Sequence, residues 1–336
     1  MPITSYDLGI ELFPHCNLNC QFCYQREYSR YKDTYTSTIQ LPKSYYVNKC
    51  LEQIKKHNIN GRKLFFFGGE VFYDNNASYV TSMKNLIEYL NPVEINATSN
   101  LIFNPDTSDL FQYLLNRPGL FSLCASYNPV NRYDNEKQLN LFVANVKKLY
   151  MRVHTQQTKL SIEVVLQPEL LTQQVELPLL DYIKGVNTAL DEPLIDVIFI
   201  VDYRGYSKEI LSNFNNLLLA FLKRYPVFQN FQYLYDTSHV NKYCQRMQKG
   251  TVFLTYNNGF KYIDHPIHCI DPEADVDALN KKLEDCYHCS TCPYEKYCKD
   301  VCTAGLEKTG LLTPEQYCYH RFLFDHYTEL MRAARQ

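Results

Sequence analysis

Three cysteines near the start of the chain could hold an iron–sulfur cluster. Cys16, Cys20 and Cys23 are spaced C-x-x-x-C-x-x-C, directly after a strand predicted over residues 8–13. A four-iron, four-sulfur (4Fe–4S) cluster normally takes four cysteine thiolates. A loop that supplies three leaves one iron free for a small molecule, and this free position would turn an electron carrier into a catalyst.

The same loop admits a zinc site built from the three cysteines and His15. Zinc prefers tetrahedral cysteine and histidine ligation, usually from paired C-x-x-C knuckles. The uneven spacing of the three cysteines suits the corners of a cube better. We therefore favour iron here and keep zinc as the alternative.

A second feature is the tripeptide Gly68-Gly69-Glu70, which follows a predicted strand over residues 63–67. Two glycines allow a ligand to approach the backbone closely and permit unusual dihedral angles. The glutamate offers an acceptor for an ammonium group. An ordinary strand-to-loop turn would use the same glycines, but the position at the end of a parallel strand, on the same side as the cysteine loop, favours a binding role.

Strand-like and helix-like segments alternate up to about residue 235. The predicted strands cover residues 8–13, 63–67, 93–98, 120–126, 160–166 and 195–201. The predicted helices cover residues 43–57, 78–90, 109–115, 136–150, 177–189 and 210–225. This alternation predicts parallel β/α units with reactive groups at the carboxyl ends of the strands, and about six repeats indicate a partial barrel. Residues 226–240 have mixed composition and are interpreted as a linker.

Eight of the 13 cysteines lie between Cys244 and Cys318. Cys289, Cys292, Cys298 and Cys302 have the spacing C-x2-C-x5-C-x3-C. The chain lacks an N-terminal export signal, so we expect a cytoplasmic protein whose clustered cysteines bind metal rather than form disulfides. Taken alone, these cysteines suit a zinc ribbon as well as iron.

Charge and hydropathy exclude some partners. The net charge of −2 gives no broad electrostatic case for binding nucleic acid or an anionic membrane surface. No stretch of about 18 apolar residues occurs, so no transmembrane helix is predicted. We expect neither nucleic acid nor membrane as a partner.

Together, the cysteine loop, the Gly-Gly-Glu tripeptide and the C-terminal cysteines resemble the radical S-adenosylmethionine (SAM) superfamily with a SPASM-type auxiliary domain. The resemblance implies an α/β fold: a partial (β/α)6 barrel over residues 1–235, then a small cysteine-rich auxiliary domain with a C-terminal helix over residues 236–336. It implies that the open iron binds the methionine end of SAM. An electron from the cluster would then cleave SAM to a 5′-deoxyadenosyl radical, which takes a hydrogen atom from the substrate.

The resemblance also implies roles for individual residues at the SAM site. Glu70 and the backbone of Gly68–Gly69 would hold the SAM amino group, and Phe22 and Tyr24 would lie near the adenine. Two further residues, Ser99 and Ser126, stand where relatives place small polar groups near SAM. For Ser126 an ordinary turn-forming role remains the alternative. Val71 stands where many relatives have proline.

For the C-terminal region, the resemblance implies one or two auxiliary 4Fe–4S clusters. The outer cluster would use Cys289, Cys292, Cys298 and Cys318. The inner cluster would use Cys244, Cys269 and Cys302. Cys286 is extra, and is either a fourth inner ligand or a thiol that donates hydrogen to a substrate radical. Asp271, two residues after Cys269, is a candidate base.

The implied reaction modifies a side chain of a peptide or protein, including ribosomally made peptides, by crosslinking, oxidation or epimerisation. Alternatives are a formylglycine-type sulfatase maturase, an enzyme acting on a small molecule, and a non-catalytic iron–sulfur or zinc-binding protein. The implied electron donor is a flavodoxin or ferredoxin. Because the sequence starts close to the cysteine loop, we expect leader recognition, where it is needed, to use a separate protein.

Overall fold

The computed structural model describes most of the first 200 residues and shorter stretches beyond. The described residues are 3–20, 23, 41–130, 132–153, 158–166, 170, 178–188, 195–201, 217, 220–221, 251–256, 259–260, 276–293 and 321. The strands are β1 (Ile3–Glu11), β2 (Ile59–Phe67), β3 (Glu94–Ser99), β4 (Leu120–Tyr127), β5 (Thr158–Leu166), β6 (Asp196–Val201) and β7 (Thr251–Thr255). The α-helices are α1 (Lys43–Lys56), α2 (Ala77–Leu90), α3 (Asp109–Asn116), α4 (Glu136–Val153), α5 (Pro178–Thr188) and α6 (Val276–Tyr287).

These residues fall into two compact units. The first comprises Met1–Ser126, Asn131–Ser161 and Arg246–Pro272, and the second comprises Tyr127–Val130, Ile162–Gln245 and Glu273–Gln336. The boundary between the units falls within β5, after Ser161. In the first unit the strand order is β5-β4-β3-β2-β1-β7, and in the second unit the later residues of β5 lie beside β6. β1 pairs in parallel with β2 and β7, and β3 pairs in parallel with β2 and β4. The predicted partial, parallel α/β barrel is confirmed.

The six predicted strands and five of the six predicted helices are present. β1 begins at Ile3, five residues before its predicted start, and ends at Glu11, two residues before its predicted end. β2 begins at Ile59, four residues before the predicted start. Its first residues alternate between buried and exposed, whereas the prediction included only the compact apolar run that follows them. The predicted helix over residues 210–225 falls mostly, and the predicted linker over 226–240 wholly, outside the described residues. The division at residue 235 stays a prediction.

β7 is a strand that the sequence did not indicate. Thr251–Thr255 pairs with Asp7–Glu11 of β1 in parallel register. The segment is short and is followed by polar residues, so its sequence carries little periodic signal. Its pairing places β1 inside the sheet rather than at its edge.

Aromatic side chains fix the loop that follows β2. Phe72 is fully buried and packs edge-to-face on Phe111 of α3 at 5.2 Å between ring centroids. Phe103 and Phe121 complete this cluster around Phe72. Edge-to-face aromatic pairs stabilise a core beyond the area that they bury. The loop carrying Gly68-Gly69-Glu70 is therefore anchored immediately after the glutamate.

In the part of the chain that the structure describes, no helix has both the length and the apolar character needed to cross a membrane.

Candidate active site

The cysteine loop begins a few residues after β1 ends. Cys20 is buried, and Cys16 and Cys23 are half-buried. The backbone N–H of Cys23 donates to the carbonyl of Cys20 at 3.3 Å, which closes the turn between these two cysteines. The backbone N–H of Leu18 donates to the sulfur of Cys16 at 3.4 Å. The loop thus presents three thiols from a short, folded segment.

Among the described residues, no three cysteine, histidine, aspartate or glutamate side chains converge on a point that could hold one metal ion. The loop cysteines are included in that finding. In a 4Fe–4S cube each thiolate binds a different iron, so the three sulfurs do not have to meet at one centre. Three thiols on one loop fit three corners of a cube, and iron rather than zinc at these cysteines stays a prediction.

Burial raises the pKa of the Cys16 thiol to about 12, and the charges of Glu70, Cys20 and Cys23 add to the rise. The N–H of Leu18 works in the opposite direction. Without metal, Cys16 is therefore protonated at neutral pH. A metal-bound thiol gives up its proton, so metal binding at Cys16 would release a proton.

The Gly-Gly-Glu loop packs directly on the cysteine loop. Gly68 and Gly69 both have positive φ, at 81° and 61°, which confirms the predicted need for unusual dihedral angles. A Cβ on Gly69 would lie 2.3 Å from the carbonyl oxygen of His15. The backbone N–H of Glu70 donates to that same oxygen at 2.7 Å. The close approach at Gly69 is therefore made by the protein's own cysteine loop.

The Glu70 carboxylate is completely buried and accepts three hydrogen bonds from protein groups. Its Oε1 accepts from the backbone N–H of Phe72 at 3.1 Å and from the hydroxyl of Ser99 at 3.0 Å. Its Oε2 accepts from the backbone N–H of Asn100 at 2.7 Å. Burial raises the pKa of Glu70, against the effect of these donors. The described hydrogen bonds of the Glu70 carboxylate all come from protein groups, and SAM binding by Glu70 and by the Gly68–Gly69 backbone stays a prediction.

Ser99 belongs to this internal network. It is buried, and its hydroxyl oxygen also accepts from the backbone N–H of Leu101 at 3.0 Å. The described contacts give Ser99 a structural role at the end of β3, and SAM binding by Ser99 stays a prediction.

Asn100 connects the Glu70 carboxylate to the cysteine loop. Its side-chain nitrogen donates to Asn17 Oδ1 at 2.7 Å and to the sulfur of Cys16 at 3.6 Å. Asn17 in turn donates to the carbonyl of Ile102 at 2.6 Å. The segment after β3 and the loop after β1 are thereby joined by side-chain amides.

Arg132 is a functional candidate that the sequence argument missed. It is buried at 9% exposure, and its guanidinium donates to the hydroxyl of Ser126 at 2.9 Å. Burial disfavours its charge, but Cys20, Tyr133 and Cys16 raise the pKa of Arg132 above its ordinary value. A buried cation beside three cysteines suits a cluster with anionic ligands. A single arginine nine-tenths buried has no sequence motif, so only the fold identifies it.

Lys43, at the start of α1, is a second buried cation in the first unit. It is 4% exposed, and its ammonium donates to the backbone carbonyl of Glu70 at 2.7 Å. It also lies over the rings of Phe13 and Tyr73. Burial lowers the pKa of Lys43 to about 8. Lys43 therefore fixes the Gly-Gly-Glu loop from the helix side.

In the second unit, a tight turn carries two of the predicted auxiliary ligands. A 3-10 helix spans Cys289–Thr291, and the N–H of Cys292 donates to the carbonyl of Cys289 at 3.0 Å. The carboxylate of Glu284 accepts from the backbone N–H and the hydroxyl of Ser290. Cys286, on α6, is half-buried. Glu284 was not predicted to have a role, and it holds the C-x2-C turn in shape.

Several predicted site residues lie outside the described residues. They are Phe22, Tyr24, Cys244, Cys269, Asp271, Cys298, Cys302 and Cys318. The auxiliary ligand sets, and the catalytic roles of Asp271 and Cys286, stay predictions. Two cysteines outside the predicted ligand sets lie on regular elements: Cys50 on α1 is fully buried, and Cys124 on β4 is half-buried.

No protein-family model matches the chain, and no curated protein matches it. Several solved structures match this chain. The structure of native anSMEcpe with bound AdoMet superposes with a TM-score of 0.51 at 12% identity, covering 98% of this chain and 99% of that one. Native anSMEcpe with bound AdoMet and Kp18Cys peptide gives a TM-score of 0.50 at 12% identity, with the same coverages.

Streptococcus suis SuiB bound to S-adenosylmethionine gives a TM-score of 0.46 at 15% identity, over 96% of this chain and 77% of SuiB. The likeness to anSMEcpe shows the fold: this chain has the fold of radical SAM enzymes, as the resemblance of its motifs predicted.

Proposed function

We propose that this chain is a radical SAM enzyme that acts on a peptide or protein. One observation carries the proposal: in the first unit, the C-x-x-x-C-x-x-C loop after β1 is hydrogen-bonded to the Gly-Gly-Glu loop after β2 and to the segment after β3. The carboxyl ends of three adjacent parallel strands thus build one site, which is where open α/β folds bind their ligands.

Cys16, Cys20 and Cys23 would hold a 4Fe–4S cluster. When bound, the cluster and SAM together supply reductive cleavage of SAM and hydrogen-atom abstraction from the substrate. The protein residues orient these groups. In this proposal the backbone of Gly68–Gly69 meets the SAM amino group, and the buried Glu70 carboxylate holds the loop through its hydrogen bonds to Phe72, Ser99 and Asn100.

Arg132 would meet the SAM carboxylate. Its guanidinium is buried, charged and fixed by Ser126, so a carboxylate placed there gains a charge-assisted hydrogen bond without further ordering of the side chain. This assignment also gives Ser126 a role through Arg132. The expected consequence is weaker SAM binding in Arg132→Gln, with iron bound normally.

A peptide or protein substrate is supported by the anSMEcpe structure that holds AdoMet and Kp18Cys peptide, which has the same fold. The fold alone does not select among crosslinking, oxidation and epimerisation. A formylglycine-type sulfatase maturase stays the alternative, and Kp18Cys peptide is a probe for a peptide substrate.

The decisive experiment reconstitutes the full chain anaerobically with iron and sulfide, then adds SAM and dithionite. We expect 5′-deoxyadenosine by liquid chromatography and mass spectrometry, and its absence would refute the enzyme proposal. Cys20→Ala is expected to abolish the product. Cys50→Ala is the matched control, because Cys50 is a buried cysteine on α1 outside the site.

Metal analysis of the same samples separates iron from zinc. Three cubes give roughly 12 irons per chain, two give roughly eight, and one gives roughly four. Zinc in place of iron in anaerobically purified protein would favour the non-catalytic alternative. The substrate class is tested with Kp18Cys peptide. A SAM-dependent change in the mass of the peptide supports a peptide substrate. If 5′-deoxyadenosine forms while the mass of the peptide stays unchanged, Kp18Cys peptide is not a substrate.

A further inference from the structure

We propose that Asn100 donates a hydrogen bond to the iron-bound sulfur of Cys16 and thereby raises the reduction potential of the SAM-binding cluster. The inference rests on the proposed function, because it concerns the same cluster. It assigns a positioning and tuning role to a residue that binds neither iron nor SAM in the proposal above.

The Asn100 amide has one orientation that satisfies its neighbours. Its Oδ1 accepts from the backbone N–H of Ile102 at 2.8 Å, so Nδ2 must point the other way. One hydrogen of that nitrogen is used by Asn17 Oδ1 at 2.7 Å. A side-chain amide carries two N–H donors. The second donor faces the sulfur of Cys16, 3.6 Å away.

The donor is held in place by other protein groups. Asn100 is 4% exposed, and its backbone N–H is bound by the buried carboxylate of Glu70 at 2.7 Å. Asn17 closes the arrangement by donating to the carbonyl of Ile102 at 2.6 Å. The Glu70 carboxylate therefore helps to fix the position of Asn100 beside the cysteine loop.

A fixed N–H donor favours the more negative form of the group that it faces. Reduction by dithionite adds one electron to the cube and increases the negative charge on its sulfur ligands. Hydrogen bonds to these sulfurs are among the factors that set the potential of an iron–sulfur cluster. In a buried, low-dielectric site this electrostatic effect is stronger than in water. Loss of the Asn100 donor should make the cluster harder to reduce.

The experiment is a potentiometric titration of reconstituted full-length protein with dithionite, followed by electron paramagnetic resonance. The signal that changes when SAM is added identifies the SAM-binding cluster and separates it from auxiliary clusters. We expect a more negative midpoint potential in Asn100→Ala. A larger negative shift is expected in Asn100→Asp, because a carboxylate oxygen then replaces the donor while the acceptor for Ile102 remains.

Asn145→Ala is the matched control. The Asn145 amide donates to the carbonyls of Leu101 and Phe103, at 2.8 Å each, and so supports the same segment through bonds that do not involve sulfur. We expect its midpoint potential to equal that of the wild type. An equal shift in Asn145→Ala would attribute the effect to loosening of the segment and would overturn the assignment to the N–H···S bond.

An unchanged midpoint in both Asn100 variants, with normal iron content and a normal SAM response, would also overturn the proposal. If neither variant binds a cluster, wild-type protein labelled with nitrogen-15 at the asparagine side-chain amides gives the answer. Pulsed electron paramagnetic resonance of its reduced cluster should detect nitrogen-15 coupling, and absence of that coupling overturns the proposal. A wild-type signal that does not respond to SAM is a separate result, which refutes the proposed function itself.

Discussion

Replacing Glu70 by glutamine tests whether its carboxylate stabilises the protein or contacts SAM. In Glu70→Gln the amide oxygen can stay with the two donors at Oε1, Phe72 N and the Ser99 hydroxyl. The amide NH2 then faces the backbone N–H of Asn100, which loses its acceptor at 2.7 Å. Loss of one hydrogen bond to a charged group costs about 1.5–3 kcal/mol, and a buried donor without an acceptor costs about 1–3 kcal/mol.

These two costs overlap, so we expect the free energy of unfolding to fall by about 3 kcal/mol. The measurement is urea unfolding of metal-free, SAM-free full-length protein by far-ultraviolet circular dichroism. Because the chain has two compact units, amide hydrogen exchange in peptides from residues 95–104 should be measured alongside, and should rise in the variant.

Glu94→Gln is the control with the same chemical change. Glu94 lies at the start of β3 and pairs with Lys63 at 3.2 Å, with 21% and 44% of the two side chains exposed. A pair of that exposure contributes about 0–1 kcal/mol. If Glu70→Gln unfolds like the wild type but binds SAM much more weakly, then the carboxylate contacts SAM directly and the structural argument is wrong.

Three further predictions concern backbone space, a buried amine and a buried guanidinium. Gly69→Ala should displace the Gly-Gly-Glu loop, because the new Cβ would lie 2.3 Å from the carbonyl oxygen of His15. The iron content of the reconstituted protein should fall as a result. Gly185→Ala on α5 is the control and should bind iron normally, because the space around Gly185 is open. Between pH 8 and 10.5, the free energy of unfolding of the wild type should rise by about 3 kcal/mol relative to that of Lys43→Met. The pKa of Lys43 is about 8 when folded and 10.5 when unfolded, so over that range only the unfolded chain keeps the proton on this amine. Burial raises the pKa of the Cys16 and Cys50 thiols in both proteins, so urea titrations must compare the two proteins, and the same pH dependence in both would contradict the assignment. Arg132→Gln should raise the dissociation constant for SAM at least tenfold, because it loses a charge-assisted hydrogen bond worth about 1.5–3 kcal/mol. Equilibrium dialysis measures this constant. An unchanged dissociation constant would show that Arg132 does not contact the SAM carboxylate.

The sequence predicted the framework of the site because that framework depends on local patterns. Alternating strand and helix periods gave β1 to β6 and placed the cysteine loop and Gly68-Gly69-Glu70 after adjacent strands. Parallel strands end on the same side of a sheet, so the meeting of these two loops followed from their order alone.

The sequence could not predict which polar groups meet each other at that edge. Glu70 was expected to accept from a ligand, but its three donors are backbone and hydroxyl groups that come together only in the folded sheet. Arg132 and Asn100 gave no signal for a similar reason. A buried arginine has no spacing rule, and an asparagine after a strand reads as a turn former.

β1, the strand that leads into the cysteine loop, is paired on one side with residues that are synthesised much later. Thr251–Thr255 must be available before β1 has two hydrogen-bonded neighbours. A nascent chain that ends before residue 251 contains Cys16, Cys20 and Cys23, but its β1 still has an open edge, which is the kind of edge that other chains can join. The sheet beside the cysteine loop is therefore completed late in biosynthesis. Pairing between strands so far apart in the sequence is also slow. Under the proposed function, iron delivered to the finished chain would meet a cysteine loop whose preceding strand, β1, already has both hydrogen-bonded neighbours.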